Sequence, residues 1–403
     1  MNQFGQLLRK HREAAGLSLR QLGAMVPCSY SLVSKVERGI QAASEQFARA
    51  CDAALHAHGV LIDAYVHQQA GDIDMHRRTM LQTLVTLAAA PASSVRWEAL
   101  RHSVAAAVGA DHDRWAQVVA DYGHAYYRVS GDELMDNLAA DLQVLSAVIA
   151  AEHGPGRERL LSVASRLSVV VALSMVVTGN TIAAGRWWRD AHQYADASRE
   201  RDTILLSHAW DVVNGCYDGR TPAQVVALSD QVLHLTAGSS SAAACGLLAG
   251  RAQALSLSGR HVEAIATVRQ LSDRAEGLPG PVIDDVDGLW GWPEHRLRHT
   301  ETWVYAHAGR LNEATLARDR ALRLYPPALA RLRAQVQLHH AAALIRGGDV
   351  PDGLNLATDV LDDLPAEHHN KVLRAVAGQV VAAVPGTEWR RPEMRELADR
   401  VTA

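Results

Sequence analysis

The chain has 403 residues, 48% apolar by type, 21% charged and 5% aromatic, with 13 Pro and 29 Gly. This composition excludes a disordered chain and a small stapled scaffold, and abundant Ala and Leu beside few turn formers predict helices. The net charge of −4 averages two opposite segments: residues 1–62 hold seven Lys or Arg against four acids, so the remainder carries −7.

The four cysteines, Cys28, Cys51, Cys216 and Cys245, have no CxxC spacing and fall in apolar helical patterns. They read as small core residues in a reducing compartment. The N-terminus lacks the apolar stretch of a secretory signal, and the longest apolar run, Leu167–Val177, is about half a membrane span. His76–Gln82, with its Arg77-Arg78 pair, resembles a twin-arginine export motif but follows a folded-looking segment and reads as part of a linker helix. The expectation is a cytoplasmic protein with no membrane partner.

In chain order, Phe4, Leu7, Leu8 and His11 fall on one helical face, and Gly16 stops that helix. Ser18 and Gln21 form a capping box for a short second helix carrying Leu19, Leu22 and Val26, interrupted at Pro27-Cys28. Ser29 caps a third helix that buries Val33 and Val36 and stops at Gly39; Ser44 caps a fourth with Phe47, Ala50, Cys51 and Leu55. Two short helices joined by so tight a turn make a helix-turn-helix.

Leu17-Ser18-Leu19-Arg20-Gln21-Leu22-Gly23 and Ser29 through Gly39, above all Val33-Ser34-Lys35-Val36-Glu37-Arg38-Gly39, resemble the phage-repressor or XRE class of helix-turn-helix domain over residues 4–62. The resemblance implies that the third helix enters the major groove, with Tyr30, Ser31, Ser34 and Lys35 reaching base edges. It places Arg20 and Gln21 near a phosphate at the start of the second helix, with Arg38 on the DNA backbone and Arg9 and Lys10 as weaker contacts. It gives Arg12 and Glu37 a structural role. Pro27 departs from the family, which more often has Gly there. For Arg9, Lys10 and Arg49 a solvated helix face is the simpler reading.

Gly71-Asp72-Ile73-Asp74 and Ala90-Pro91-Ala92-Ser93-Ser94 supply breakers. They suggest a DNA-binding domain over 1–65, a linker helix over 66–95 and a helical domain over 96–403. Residues 111–151 read as a helical pair. Beyond it Gly179, Gly219, Gly259, Gly309 and Gly348 recur at intervals of 40, 40, 50 and 39 residues, and the long interval holds a loop-like insertion, Leu278-Pro279-Gly280-Pro281 and Asp284–Gly288. Ala184, Ala264 and Ala314 each follow a repeat glycine by five residues.

Gly259–Ala264, Gly309–Ala314 and the closing Leu364-Pro365 resemble tetratricopeptide-type repeats, although these repeats are longer. The resemblance implies a right-handed α-solenoid whose first helices line a concave surface. On that surface it selects Arg166, Gln253, Ser256, Arg296, His299, Trp303 and Gln335, with Asn214 as a further backbone contact. Such a set suits a peptide, or consists of ordinary solvated and interhelical residues.

Glu294, His295, His299 and Glu301 place two histidines at i, i+4 without the HExxH order, so no metal is expected. Trp187-Trp188, Trp290 and Trp292 read as core or interface anchors. With no P-loop, dinucleotide fingerprint or GxSxG elbow, neither a cofactor nor catalysis is expected. The sequence thus describes an all-α protein: a helix-turn-helix domain of four to five helices, then a tetratricopeptide-like α-solenoid sensor. It fits a homodimeric transcriptional regulator that binds a double-stranded DNA operator and responds to a short signalling peptide. The alternatives are the same regulator responding to a small metabolite, or a non-catalytic interaction scaffold.

Overall fold

The computed structural model describes residues 3–26, 30–41, 43–66 and 112–402, and among them there are helices and turns but no strand. The chain is all-α. It divides into two units, Met1–Ala90 and Pro91–Ala403. The turn at Pro27-Cys28-Ser29, the segment with Arg77-Arg78, and the proposed linker beyond Val66 lie outside the described residues.

The first unit contains α1 (Gln3–Ala14), α2 (Leu19–Met25), α3 (Tyr30–Glu37), α4 (Glu45–Ala54) and a further helix, α5, over 60–66. Its core is Phe4, Leu8, Leu22, Val33, Phe47 and Leu61, with Cys51 buried among them. The start of α2 is fixed by a reciprocal capping box: the Gln21 amide N–H donates to Ser18 Oγ, and the Ser18 N–H donates to Gln21 Oε1 at 2.8 Å. Ser44 caps α4 in the same sense, accepting from the Phe47 N–H.

The buried Asp52 caps α5, its carboxylate accepting from the Gly59 and Leu61 N–H groups at 2.9 Å each. Arg12 ties α1 to the end of α3. Its guanidinium donates to both Glu37 oxygens, at 2.6 and 2.8 Å, and to the Leu17 carbonyl at 2.9 Å. A buried ion pair needs this bidentate geometry, because desolvation of both charges opposes it.

The second unit opens with α6 (His112–Ala125) and α7 (Gly131–Ala151). Five helix pairs follow: α8 (Pro155–Thr178) with α9 (Thr181–Ser198), α10 (Arg201–Gly215) with α11 (Pro222–Val232), α12 (Ala242–Leu257) with α13 (His261–Ala275), α14 (Glu294–His307) with α15 (Leu311–Leu324), and α16 (Ala330–Gly347) with α17 (Val350–Asp362). The unit closes with α18 (Lys371–Ala383) and α19 (Pro392–Thr402). Each pair is joined at one of the five repeat glycines, all in the left-handed region with φ between +69° and +102°. There an L side chain would be strained. At Gly179, Gly259, Gly309 and Gly348 the next residue's N–H bonds back into the preceding helix, as in Asn180 to Met175 at 2.9 Å, which satisfies carbonyls the helix end would otherwise leave open.

The two helices of a pair differ in kind. First helices are buried on several faces: α12 buries Ala244, Cys245, Leu247, Leu248, Ala252 and Leu255. Second helices bury one stripe, as α13 does through Ala264, Ile265, Val268 and Leu271. The first helices α8, α10, α12, α14 and α16 stack in a continuous row that leads to α18, and α18 in turn packs back against α8. By length and hydropathy α7 and α8 would both pass for membrane spans, but 78% of the apolar window of α8 is buried within the unit. Its apolar faces are taken by α6, α7, α9 and α10.

Small residues five positions after the turn glycine set the spacing of four of the five pairs. Ala184, Ala264 and Ala314 are buried there, and in the last pair Gly353 occupies the same place. In the second pair the exposed Gln224 stands there, and the close approach is made at Gly215, where a Cβ would lie 2.8 Å from Val225 Cγ2. A Cβ at Gly353 would lie 2.5 Å from Ile345 Cγ1 and 2.7 Å from the Ala341 carbonyl oxygen. Gly353→Ala is therefore expected to destabilise the second unit by about 1–3 kcal/mol, read as a lowered thermal midpoint in calorimetry. An unchanged midpoint would show that α16 and α17 separate at no cost.

Candidate nucleic-acid interface and inner cavity

The helix that buries Val33 and Val36 turns its other side outward. Ser31, Ser34, Lys35 and Arg38, at i, i+3, i+4 and i+7, share that outward face, with Tyr30 at its start. Tyr30, Ser31, Lys35 and Arg38 are exposed and Ser34 is half-buried. The tyrosine, 54% exposed, has the Arg20 guanidinium 5.5 Å from its ring centre, so the start of α2 and the start of α3 present a paired aromatic and cation. Gln21 is exposed, but its side-chain oxygen is engaged in the capping box. Arg38 donates to the Ser34 carbonyl. Arg9 and Arg49 are ion-paired along their own helices with Glu13 and Glu45, which partly neutralises them.

In the second unit the row of first helices lines a cavity of about 150 Å³. Of the sequence-selected residues, Asn214, Gln253, Arg296, His299 and Gln335 line it, from α10, α12, α14 and α16. Two do not. Trp303 is fully buried in the core, its ring edge-on to Tyr217 at 5.5 Å and 4.6 Å from His339, so its bulk fills the space between helices instead of reaching the cavity. Arg166 sits two turns earlier on α8 than Leu173, which does line the cavity, and belongs to a separate pocket with Glu200, Arg201, Asp202 and Ser239. Ser256 is also buried, bonded to the Ala252 carbonyl.

The residues that sequence reasoning missed are mostly aromatic: Tyr126, Tyr127, Trp210 and Tyr325, together with Arg331. Their signal was Tyr126-Tyr127 at the end of α6, outside the repeats, and Trp210, one turn before Asn214 on α10. The insertion after α13 is more than a loop of excess length. After one short turn, Gly280–Ile283, it places Leu289, Trp290, Gly291 and Trp292 against the cavity.

That insertion is held from far away in sequence. Its Leu289 N–H donates to the Gly123 carbonyl at 2.9 Å and its Trp290 indole N–H to the Val119 carbonyl at 2.8 Å, both on α6. Arg128 pairs with Asp287, and His124 lies 3.8 and 3.7 Å from Asp285 and Asp287. Gly123 lets the indole lie on α6, since a Cβ there would stand 2.4 Å from the Trp290 ring.

Polar groups in the cavity are incompletely satisfied by protein. The Asn214 amide donates to the Trp210 carbonyl at 2.9 Å. His299 Nδ1 is 2.9 Å from the Tyr325 hydroxyl, whereas its Nε2 and the Gln253 side-chain oxygen are buried without a protein partner. Arg296 donates to the Gly288 and Leu289 carbonyls and faces the Trp210 ring at 5.6 Å. Burial, reinforced by Arg296, pushes His299 down to about 4. His295, which packs on Tyr325, is pushed to about 3 by burial and then Arg296.

Residues 3–65 match the helix-turn-helix domain family. The first unit is thus a helix-turn-helix domain. No curated protein matches the chain. Among solved structures, the crystal structure of Bacillus thuringiensis PlcR in complex with the peptide PapR7 and DNA is similar to it, with 14% identity over 80% of this chain and 96% of that chain and a TM-score of 0.28.

His307 and His340 are likewise pushed to about 4 by burial and neighbouring arginines. These histidines are neutral when folded, and their ordinary value is 6.5. As pH falls below that value the unfolded chain binds protons that the folded one refuses, so stability drops until the folded values near 4 are reached. Each histidine contributes about 1.4 kcal/mol per pH unit across that window. The thermal midpoint followed by circular dichroism is expected to fall steeply from about pH 7 to about pH 5; a flat profile would contradict the neutral buried state.

Proposed function

We propose that the chain is a cytoplasmic DNA-binding transcriptional regulator whose second unit binds an effector in the inner cavity and thereby modulates operator binding. The observation that carries this reading is the outward face of α3, where Tyr30, Ser31, Ser34, Lys35 and Arg38 stand together in a helix-turn-helix domain. Lys35 donates to guanine O6 or N7, the serines bond several base edges, and the Tyr30 ring packs on a thymine methyl or sugar. Arg20 and Arg38 hold phosphates and fix the register. One such domain reads a half-site, so the working form is a homodimer on a two-fold operator.

The effector reading is a short peptide or a small metabolite. A cavity of about 150 Å³ is on the order of the space that admits one benzene-sized ring. The site therefore holds either a small molecule or a single anchoring residue of a peptide. Without a ligand, the buried polar atoms of Gln253 and His299 have no protein partner, which is costly unless something in the cavity meets them.

The test is fluorescence anisotropy with duplex DNA from the promoter region of the protein's own gene, at several salt concentrations. Binding is expected to weaken linearly in log–log form with salt. Lys35→Ala should cost about 1–3 kcal/mol, while Arg9→Ala, whose cation is paired with Glu13, should bind as the parent does. No salt-dependent preference for that DNA, or an unchanged Lys35→Ala, would leave the interaction-scaffold reading in its place.

A further inference from the structure

The cavity combines three properties. It is walled by aromatic rings, among them Tyr126, Tyr127, Trp210, Trp290, Trp292 and Tyr325. Two arginines line it, Arg296 and Arg331, and among the described residues no Asp or Glu does. Three buried polar atoms there, Gln253 Oε1, His299 Nε2 and the indole Nε1 of Trp292, lack a protein partner. The arginines are held by neutral groups: Arg296 by the carbonyls of Gly288 and Leu289 and the face of Trp210, Arg331 by the Tyr126 hydroxyl. Both arginines are half-buried, partly desolvated cations gain from a counter-charge, and among the described lining residues the protein supplies none.

We propose that the cavity binds an aromatic ring bearing a carboxylate. This rests on the reading of the cavity as the effector site. The carboxylate faces Arg331 and Arg296, where a planar two-oxygen acceptor matches the planar N–H fork. The ring lies among Trp210, Trp290 and Trp292 in offset or edge-on contact. A ligand N–H or O–H meets Gln253 Oε1, and His299, neutral and with Nδ1 accepting from the Tyr325 hydroxyl, offers its Nε2–H to a ligand oxygen. The same chemistry comes from two sources: a free aryl carboxylate, or the C-terminal aromatic residue of a short peptide. The cavity of about 150 Å³ admits the ring in either case, with the rest of a peptide lying outside.

The experiment is calorimetric titration of the full chain, with tryptophan fluorescence as a second readout. The probes are phenylacetate, its neutral isostere phenylacetamide, and the tetrapeptide Gly-Gly-Gly-Phe with a free and with an amidated C-terminus. Each acid is expected to bind at least about tenfold more tightly than its amide, and Arg331→Gln to abolish that preference. Whichever acid binds more tightly identifies the source. The proposal is overturned if the acids bind no better than the amides, if none of the four binds, or if phenyl phosphate outcompetes phenylacetate. The acid-to-amide ratio is read on the unaltered protein, so it stands even if Arg331→Gln fails to fold. Duplex binding measured on the same sample separates the two readings. Loss of the acid preference with DNA binding intact removes the ligand class and leaves the regulator. Acid preference without DNA binding retains the ligand class and removes the regulator.

Discussion

Each helix pair of the second unit must reverse direction within a few residues and still pack at contact distance, and that constraint determines the rest. Glycine in the left-handed region makes the reversal, and in four of the five pairs a small residue five positions later allows the approach. Because the pairs close in the same way, the first helices stack in one row and project equivalent positions to one side. The cavity is a consequence of that row. Leu206, Ala209 and Val213 on α10, Gly246, Ala249 and Gln253 on α12, and Arg296, His299 and Thr300 on α14 meet there because their helices keep register from pair to pair.

A row of helices gives a surface; enclosing a cavity requires something to cover it. The insertion between the third and fourth pairs does this, pinned to α6 by two backbone-directed hydrogen bonds and by the acidic residues facing His124 and Arg128. The insertion is expensive in chain entropy unless its ends and middle are tied. Here the tie is an indole lying where α6 has no side chain. The aromatic content of 5% is low for a chain of this size, so concentration of rings around one cavity reflects placement and not abundance.

The sequence made the first unit legible because its signals are local. Caps at Ser18 and Ser44, stops at Gly16 and Gly39, and apolar spacing within single helices depend on neighbours a few residues away, and all occur where the spacing predicts them. The repeat glycines were legible for the same reason. Position along a first helix was legible only in part. The repeat resemblance places Gln253, Arg296, His299 and Gln335 at the cavity, where Asn214, a further candidate, also lies, but it treats every side chain as equal in size. Trp303 occupies an inward position and fills the core, since a ring that large meets Tyr217 and His339 first. Arg166 lies beyond the cavity's end, a limit that no single helix encodes. The walls from Tyr126 and from Trp290 to Trp292 depend on contacts between segments more than 150 residues apart, such as Trp290 with Val119, and those contacts have no local signature.

Charge gives the two units a common logic. Along many helices arginines are neutralised by acids one turn away, as in Arg9 with Glu13, Arg49 with Glu45, Arg260 with Glu263 and Arg310 with Glu313. Arg20 and Arg296 instead face aromatic rings, and Arg38 and Arg296 spend N–H groups on carbonyls. Such contacts orient a guanidinium without cancelling its charge. In a chain of net −4, cations held this way are where an anion gains most by arriving, which is the common ground of the two proposals, phosphate along the face of α3 and carboxylate at the cavity wall. The acidic remainder works in the same direction, because a surplus of negative charge elsewhere makes non-specific contact with DNA unfavourable and leaves the helix-turn-helix face as the place where a duplex is attracted.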